Sequence, residues 1–248
     1  MSSTYLSPRP PTGLHRDAPK RARAVVTGPG PLVLNTIYTG DCRELGAMVP
    51  DNSVDCIFTD PPYEKASLHL YSWLSEFGAR VLKPSGVLLA YAGSYWKPQV
   101  MQSLGQSLDY FMEFIILHNY ASRDWQKHVL MKHKSIMCYT KGRYVPEQTF
   151  VLSAWGGGGR DKRYHVWGQD ESTARYYVEC FTVPGALVID PFMGGGTTAY
   201  VCRQLQRPFI GFEIDDAYAT RARSRLDNIQ MMMPLEQPLQ SAMELPSA

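Results

Sequence analysis

The sequence has no apolar run that approaches the length of a membrane-spanning helix. Its first residues also lack the apolar core of a secretory signal peptide. These absences argue against a membrane protein and against a secreted one. With 248 residues, of which 44% are hydrophobic and 19% charged, the chain suits one large globular α/β domain or two small ones.

Cysteine is scarce and forms no pattern. The five cysteines are scattered, odd in number and never in a CxxC pair, so they indicate neither a zinc site nor a disulfide framework. This usage predicts a reduced, cytoplasmic setting. His128 and His133 are five residues apart, which does not suit a metal pair, and we interpret them as surface or packing histidines. The sequence therefore predicts no metal site.

The net charge is only +2, but it is unevenly spread. Residues 1–30 contain five Lys/Arg and one acid, and residues 120–165 contain nine Lys/Arg and three acids. The remaining residues contain 11 Lys/Arg and 19 Asp/Glu. A solvated face is the default explanation of a modest excess. A basic segment inside an otherwise acidic chain favours a polyanionic partner.

Composition divides the chain into three parts. Residues 1–30 are rich in Pro, Arg and small residues, which predicts a disordered basic arm. Residues 231–248 predict a flexible tail. Between them, in residues 31–230, continuous apolar strands alternate with helical patterns, as in "VDCIFTD", "GVLLAYAG" and "ALVIDPF". This alternation predicts an α/β domain with a mostly parallel sheet and helices on both faces.

Four acidic residues follow predicted strands. In such sheets ligands bind at the carboxyl ends of the strands, so acids placed alike indicate a common site. These residues are Asp41, Asp60, Asp190 and Glu213.

The stretch "VIDPFMGGGTTA" reads as a strand, a tight glycine turn and a helix. Gly194 and Gly196 allow close approach of the backbone to a ligand, and Thr197 or Thr198 can cap the helix. Glu213 ends the next strand, where an acid can accept hydrogen bonds from ribose hydroxyls. A ligand with a ribose is predicted, and NAD and S-adenosylmethionine both qualify. The alternative is a glycine turn used only for packing.

The stretch "CIFTDPPYEKAS" favours S-adenosylmethionine. The lone pair of an exocyclic amine is delocalised into its base, so the amine is a poor nucleophile. The carboxylate of Asp60 and the carbonyl of Pro61 can each accept one amine N–H, and the two prolines hold these acceptors in place. Tyr63 offers a flat face for a base outside its helix. The alternative is an ordinary turn at a strand end.

These motifs resemble the β-class DNA amino-methyltransferases, the adenine-N6 and cytosine-N4 methylases of the DPPY type. The resemblance covers about residues 33–226, with the catalytic motif before the cofactor motif. It implies a Rossmann-like, S-adenosylmethionine-dependent methyltransferase fold of seven strands with an antiparallel last strand. It implies Asp60, Pro61, Pro62 and Tyr63 as catalytic residues. It also implies a set of cofactor-binding residues: Asp190, Phe192, Gly194, Gly196 and Thr197 around the methionine, Glu213 on the ribose, and Asp41 near the adenine.

One segment departs from the family. Many relatives have a His-Pro-Thr-Gln-Lys-Pro-like segment before the cofactor aspartate, where this chain has "HVWGQD". His165 is kept, but Gln169 and Asp170 replace lysine and proline. We expect His165 and Gln169 to contact the cofactor, with a neutral hydrogen bond from Gln169 in place of a charge.

The family places its target-recognition insert where this chain has residues of about 143–168. Glycines 156–159 predict a hinge, and the basic and aromatic side chains around it suit contact with phosphates and bases. The stretch "NYASRDWQKHVLMKHK" is expected near the same edge. A solvated glycine loop is the alternative. The predicted DNA-binding residues are Trp155, Arg160, Lys162 and Arg163, with Arg123, Lys127 and Lys132.

Asp rather than Ser opens the catalytic motif, which in the family favours N6 of adenine. The predicted function is therefore site-specific, adenine-N6 methylation of double-stranded DNA on a flipped-out base. Cytosine-N4 methylation, RNA methylation, a catalytically idle nucleic-acid-binding module and, remotely, an NAD dehydrogenase are the alternatives. The family also implies a cytoplasmic, DNA-associated enzyme of bacterial or phage origin. A homodimer is left open, as are the recognition sequence and a restriction partner.

Overall fold

The computed structural model describes residues 32–144, 150–156 and 171–232. The predicted arm at 1–30 and residues 233–248 of the predicted tail lie outside these ranges. So does most of the predicted insert, at 145–149 and 157–168. Within the described ranges, no helix combines the length and apolarity needed to cross a bilayer.

The described residues form one eight-stranded sheet flanked by helices, in the order β1-β8-β7-β2-β3-β5-β4-β6. The strands are β1 Thr36–Thr39, β2 Val54–Thr59, β3 Leu82–Ala92, β4 Asp109–Asp124, β5 Val129–Thr140, β6 Ala154–Gly156, β7 Val188–Asp190 and β8 Phe209–Glu213. The helices are α1 Cys42–Gly46, α2 Leu68–Val81, α3 Lys97–Leu104, α4 Glu171–Phe181, α5 Thr197–Gln204 and α6 Asp216–Met232, with a 3₁₀ turn at Lys65–Ser67.

The sheet is mostly parallel, which confirms the predicted fold class. Only β5 runs antiparallel to its neighbours β3 and β4. The antiparallel strand is thus an inner strand, and it is last neither in the chain nor at the sheet edge. The sheet also has one strand more than the seven expected, because the short β6 pairs with β4 at Ile115–Leu117.

Two buried clusters cover the two faces of the sheet. Along β2, Cys56 and Phe58 face a cluster that includes residues of α4, α5 and α6, whereas Ile57 faces a cluster that includes residues of α1, α2 and α3. A parallel strand buried on both faces needs apolar residues at successive positions, which explains the unbroken "CIF" run. The five cysteines are free and buried in this core.

The stretch "NYASRDWQKHVLMKHK" belongs to a long β-hairpin. The apolar pattern predicts strands at 110–119 and 134–142, but β4 continues to Asp124 and β5 begins at Val129, with Arg123 opposite Leu130. The carboxylate of Asp124 accepts the backbone N–H groups of Gln126 and Lys127, each at 3.0 Å, and so stabilises the turn. Much of this outer hairpin is exposed, so no burial pattern marks it in the sequence.

Candidate active site

The four predicted acids lie at one edge of the sheet. Strands β1, β8, β7 and β2 are consecutive and parallel, so their carboxyl ends meet at the same edge. Asp41, Glu213, Asp190 and Asp60 therefore follow or end four neighbouring strands. Residues separated by more than 170 positions in the chain are brought to one site by this strand order.

Asp190 is the most buried of the four, with 3% of its surface exposed. Its carboxylate accepts the hydroxyls of Thr59 and Thr198, each at 2.6 Å, and the backbone N–H of Phe192 at 3.0 Å. Burial raises the pKa of Asp190 to about 6, although these three donors act in the opposite direction. Because Thr59 directly precedes Asp60, this network joins the end of β2 to the glycine loop.

The glycine loop has the backbone that its sequence predicts. Gly194 and Gly196 have φ values of 52° and 79°, in the left-handed region that glycine adopts without steric cost. The carboxylate of Glu213 accepts the N–H of Gly194 at 2.7 Å and the N–H of Asp215 at 2.9 Å. Glu213 thus fixes the loop from the neighbouring strand. A carboxylate has about four lone-pair sites, so it can also accept ribose hydroxyls.

The start of α5 differs from the prediction that a threonine caps it. Gly196 is the N-cap, without a side-chain hydrogen bond. The hydroxyl of Thr198 donates to Asp190 below the loop, and the hydroxyl of Thr197 accepts from the guanidinium of Arg225 at 3.2 Å. Both threonines therefore brace the loop. The N–H groups at the helix start are left for an anionic group.

Asp41 and Phe192 flank this region. The carboxylate of Asp41 caps α1 by accepting the N–H of Arg43 at 2.8 Å, and it also forms an ion pair with the Arg43 guanidinium. The half-buried ring of Phe192 meets the ring of Trp73 edge to face, with centroids 6.3 Å apart. A contact of Asp41 with the cofactor adenine has to share this carboxylate with Arg43.

The segment from Asp60 to Tyr63 forms a compact group at the end of β2. The hydroxyl of Tyr63 donates to one carboxylate oxygen of Asp60, and the ammonium of Lys134 lies 3.4 Å from the other. Pro61 is buried and Pro62 is exposed. Burial, together with the nearby Asp60 carboxylate, raises the pKa of Tyr63 well above its usual range. Tyr63 therefore stays a neutral hydrogen-bond donor at physiological pH.

Known proteins share this sequence pattern. A family described as DNA methylase matches residues 155–224. The putative methylase YubD of Escherichia coli K12 is 27% identical over 222 residues, which cover 81% of this chain and 93% of YubD. The type II methyltransferase M.BamHI of Bacillus amyloliquefaciens is 28% identical over 242 residues, which cover 77% of this chain and 57% of M.BamHI. These similarities support a place for the chain in the DNA N6/N4 amino-methyltransferase family.

Solved structures confirm the fold of this chain. The M1.HpyAVI–SAM complex matches with a TM-score of 0.66 and 21% identity, covering 77% of this chain and 98% of that one. The cytosine-N4-specific PvuII DNA methyltransferase matches with a TM-score of 0.65 and 18% identity, covering 76% and 85%. An enzyme specific for cytosine N4 thus shares the architecture.

The structure describes only some of the predicted DNA-binding residues. Arg160, Lys162 and Arg163 lie outside the described residues, as do the predicted cofactor ligands His165 and Gln169. Three others lie on or near the β4–β5 hairpin at Arg123, Lys127 and Lys132. Trp155 lies in β6, where its indole ring stacks on the Tyr176 ring at 4.1 Å. A base could therefore stack only on the opposite face of Trp155.

Sequence reasoning missed three residues of the site, Thr59, Arg225 and Lys134, and gave a fourth, Thr198, a different role. Thr59 and Thr198 hold Asp190, Arg225 supports the glycine loop, and Lys134 contacts Asp60. Arg225 is 3% exposed; its guanidinium donates to the carbonyl of Gly195 at 3.1 Å and forms an ion pair with Glu171 at 2.6 Å. A buried arginine in an amphipathic helix was the available signal, because such a residue needs acceptors.

Proposed function

We propose that this DNA methyltransferase transfers a methyl group from S-adenosylmethionine to N6 of a flipped-out adenine. The observation that carries the proposal is the position of Asp60. Asp60 directly follows Thr59, and the hydroxyl of Thr59 donates a hydrogen bond to Asp190, the last residue of β7 before the glycine loop. An acceptor for the target amine and the glycine loop that would bind the methyl donor therefore lie next to each other, at the ends of the neighbouring strands β2 and β7.

The glycine loop and the two carboxylates beside it suit S-adenosylmethionine. This cofactor supplies a methyl group on a positively charged sulfur. The carboxylates of Asp190 and Glu213 provide negative charge, and Glu213 has lone pairs for ribose hydroxyls. The left-handed Gly194 and Gly196 keep the loop free of side chains, so a ligand can approach the backbone. We place His165 and Gln169 at the cofactor on the strength of the family resemblance.

At the target amine, the chain contributes acceptors rather than a strong base. The carboxylate of Asp60 accepts one N–H of the amine, and the carbonyl of Pro61 accepts the other. With both hydrogens held, the nitrogen lone pair is directed at the methyl group and is less delocalised into the ring. The rigid Pro61 and Pro62 hold this geometry before the substrate binds, so little reorganisation is needed during the reaction.

Burial of the acceptor favours base flipping. Only 24% of the Asp60 side chain is exposed, and the Tyr63 ring beside it is half-buried. A base stacked inside a duplex cannot reach such a group, whereas an extruded base can enter the pocket and stack on an aromatic ring. We therefore assign Tyr63 to the target base.

DNA contacts are assigned to the hairpin and to the basic residues beyond β6. Arg123 lies over the ring of the exposed Trp125 at 5.5 Å, and Lys127 lies over the ring of Tyr95 at 4.0 Å. Paired cations and aromatic rings on an exposed ribbon suit phosphate contact and stacking. Residues 160–163 add three cations to this assignment.

The preference for adenine depends on Asp60. The fold does not distinguish the two bases, because a cytosine-N4-specific enzyme shares it. A carboxylate rather than a hydroxyl as the first residue of the catalytic motif favours adenine N6 in this family. Cytosine N4 is the alternative product of the same site.

The experiment is to express the protein in a host that lacks DNA methylases, and to analyse nucleosides and single-molecule sequence of its DNA. We expect N6-methyladenine at one recognition sequence, and none in a host expressing Asp60→Ala. N4-methylcytosine would overturn the base assignment but keep the enzyme class. Unmodified DNA, from a folded protein that binds S-adenosylmethionine, would favour the idle binding module.

A further inference from the structure

Lys134 contacts the carboxylate of Asp60 from a different part of the sheet. It lies in β5, next to Ser135, which pairs with Ala92 at the end of β3. Its ammonium is 3.4 Å from Asp60, and the two side chains are 23% and 24% exposed. The ammonium also lies over the rings of Tyr63 and Tyr91, at 4.7 Å and 5.0 Å from their centroids. Two aromatic faces and a carboxylate thus hold this cation beside Asp60.

Asp60 and Lys134 together form an acceptor beside a donor. A carboxylate only accepts hydrogen bonds, and an ammonium only donates them. Adenine and cytosine both present an amino group next to an unprotonated ring nitrogen on the Watson–Crick edge. Guanine and thymine present the opposite order at this place, with a carbonyl oxygen next to a ring N–H. The side-chain pair is therefore complementary to the two amino bases.

We propose that Lys134 donates a hydrogen bond to N1 of the flipped adenine while Asp60 accepts from N6. This inference rests on the proposed function, because it requires a flipped amino base in the pocket. Lysine has three donors and a flexible stem, so the ammonium can keep its contact with Asp60 and still reach the ring nitrogen. A base that stacks on Tyr63 displaces the ammonium from the ring face to the edge of the base. Lys134 is thus a specificity-determining residue.

The competing explanation is that Lys134 only balances the charge of Asp60. Both explanations predict that Lys134→Met lowers activity, so activity alone does not separate them. They differ for 1-deazaadenine, which keeps the N6 amine but has carbon in place of N1. If Lys134 binds N1, the loss in kcat/KM caused by removing N1 depends on whether the lysine is present. If Lys134 only balances the charge of Asp60, the losses caused by removing N1 and by removing the lysine are independent.

The experiment measures kcat/KM for parent and Lys134→Met on duplexes that carry adenine or 1-deazaadenine at the methylated position. For the parent, we expect 1-deazaadenine to lower kcat/KM by about 10- to 100-fold, as for the loss of a hydrogen bond to a charged donor. For Lys134→Met, we expect nearly equal values on the two duplexes. 7-Deazaadenine, which keeps N1, should show no such difference between the proteins.

Two variants control for fold and charge. Lys132→Met removes the same charge two residues away on the same strand, where the side chain is exposed. It should lower kcat/KM equally for both duplexes and keep the sensitivity of the parent to 1-deazaadenine. Lys134→Arg retains a donor and should recover part of that sensitivity. Calorimetry with S-adenosylmethionine should show unchanged cofactor affinity in Lys134→Met, which establishes an intact fold.

An equal fold-loss on 1-deazaadenine in the parent and in Lys134→Met would overturn the inference and leave Lys134 as a charge partner. Failure of the proposed function looks different, because the parent would then not methylate the adenine duplex either. If mapping finds N4-methylcytosine, 3-deazacytosine replaces 1-deazaadenine in the same comparison, since N3 is the ring nitrogen beside the cytosine amine.

Discussion

Asp190→Asn provides a test of the buried carboxylate beneath the glycine loop. The amide has the shape of the carboxylate, and the hydroxyls of Thr59 and Thr198 can rotate to meet it, so we expect the variant to fold. The pKa of Asp190 is raised to about 6 in the folded protein, mainly by burial, from a usual value near 4. Between about pH 4 and pH 6, the folded chain therefore binds more protons at this position than the unfolded chain.

The sign and size of the effect follow from this difference. Well below pH 4, the group is protonated in both states and adds no penalty. As the pH rises from about 4 to 6, the unfolded chain loses this proton while the folded chain keeps it, so the free energy of unfolding falls, and above about pH 6 the loss levels off. One pH unit of difference corresponds to about 1.4 kcal/mol, so the parent should lose about 3 kcal/mol relative to Asp190→Asn.

Urea unfolding of parent and Asp190→Asn at pH 4, 5, 6 and 7 measures this loss, because effects of all other titrating groups cancel in the difference. Thr198→Val provides a second check. It removes a hydroxyl that donates to the carboxylate, so it should raise the pKa of Asp190 further, which extends the loss to higher pH and makes it larger. A difference between parent and Asp190→Asn that stays constant with pH would refute the reasoning, and would mean that the three hydrogen bonds fully offset burial.

Three further predictions concern the other parts of the site. Asp60→Ala should abolish methyl transfer, and calorimetry should find S-adenosylmethionine affinity within about tenfold of the parent, since a larger change would place Asp60 at the cofactor. Glu213→Ala should raise the cofactor Kd by about 10- to 100-fold, because it removes charged acceptors from both the loop and the ribose; unchanged affinity would end the ribose assignment. Joint replacement of Arg123 and Lys127 by Ala should flatten the dependence of log K for DNA on log salt by up to about 2, whereas an unaltered slope would make the hairpin tip ordinary solvated surface.

Much of the parallel part of the sheet could be predicted from the sequence. In β2, β7 and β8, each apolar run is followed by or ends at an acidic residue. The two motifs predict that these strand ends lie at one site. The strand order itself came from the structure. Apolar spacing also predicted α2, α5 and α6, because each of these helices buries a clear stripe. The helix α4 at Glu171–Phe181 was missed, although Tyr177 and Val178 are fully buried in it.

The contacts across strands could not be predicted. Lys134 is the fourth Lys/Arg of the segment 117–134, and its residue type does not show which of these cations enters the pocket. Its contact with Asp60 depends on β5 lying antiparallel beside β3. Likewise, Thr59 contacts Asp190 only because β2 pairs with β7. Such contacts depend on how neighbouring strands are aligned. The apolar pattern of a strand shows only which of its own residues share a face.

The pairing of β2 with β7 has a consequence for synthesis of the chain on the ribosome. Thr59 and Asp190 are 131 residues apart in the sequence. At about 5–20 residues per second, β2 waits roughly 7–26 s for β7 to be made. During that time β3 can pair with one edge of β2, but the other edge of this apolar strand is exposed and can pair with another nascent chain. Asp60 is therefore among the first parts of the candidate site to be made, whereas the Asp190 that Thr59 contacts is made much later.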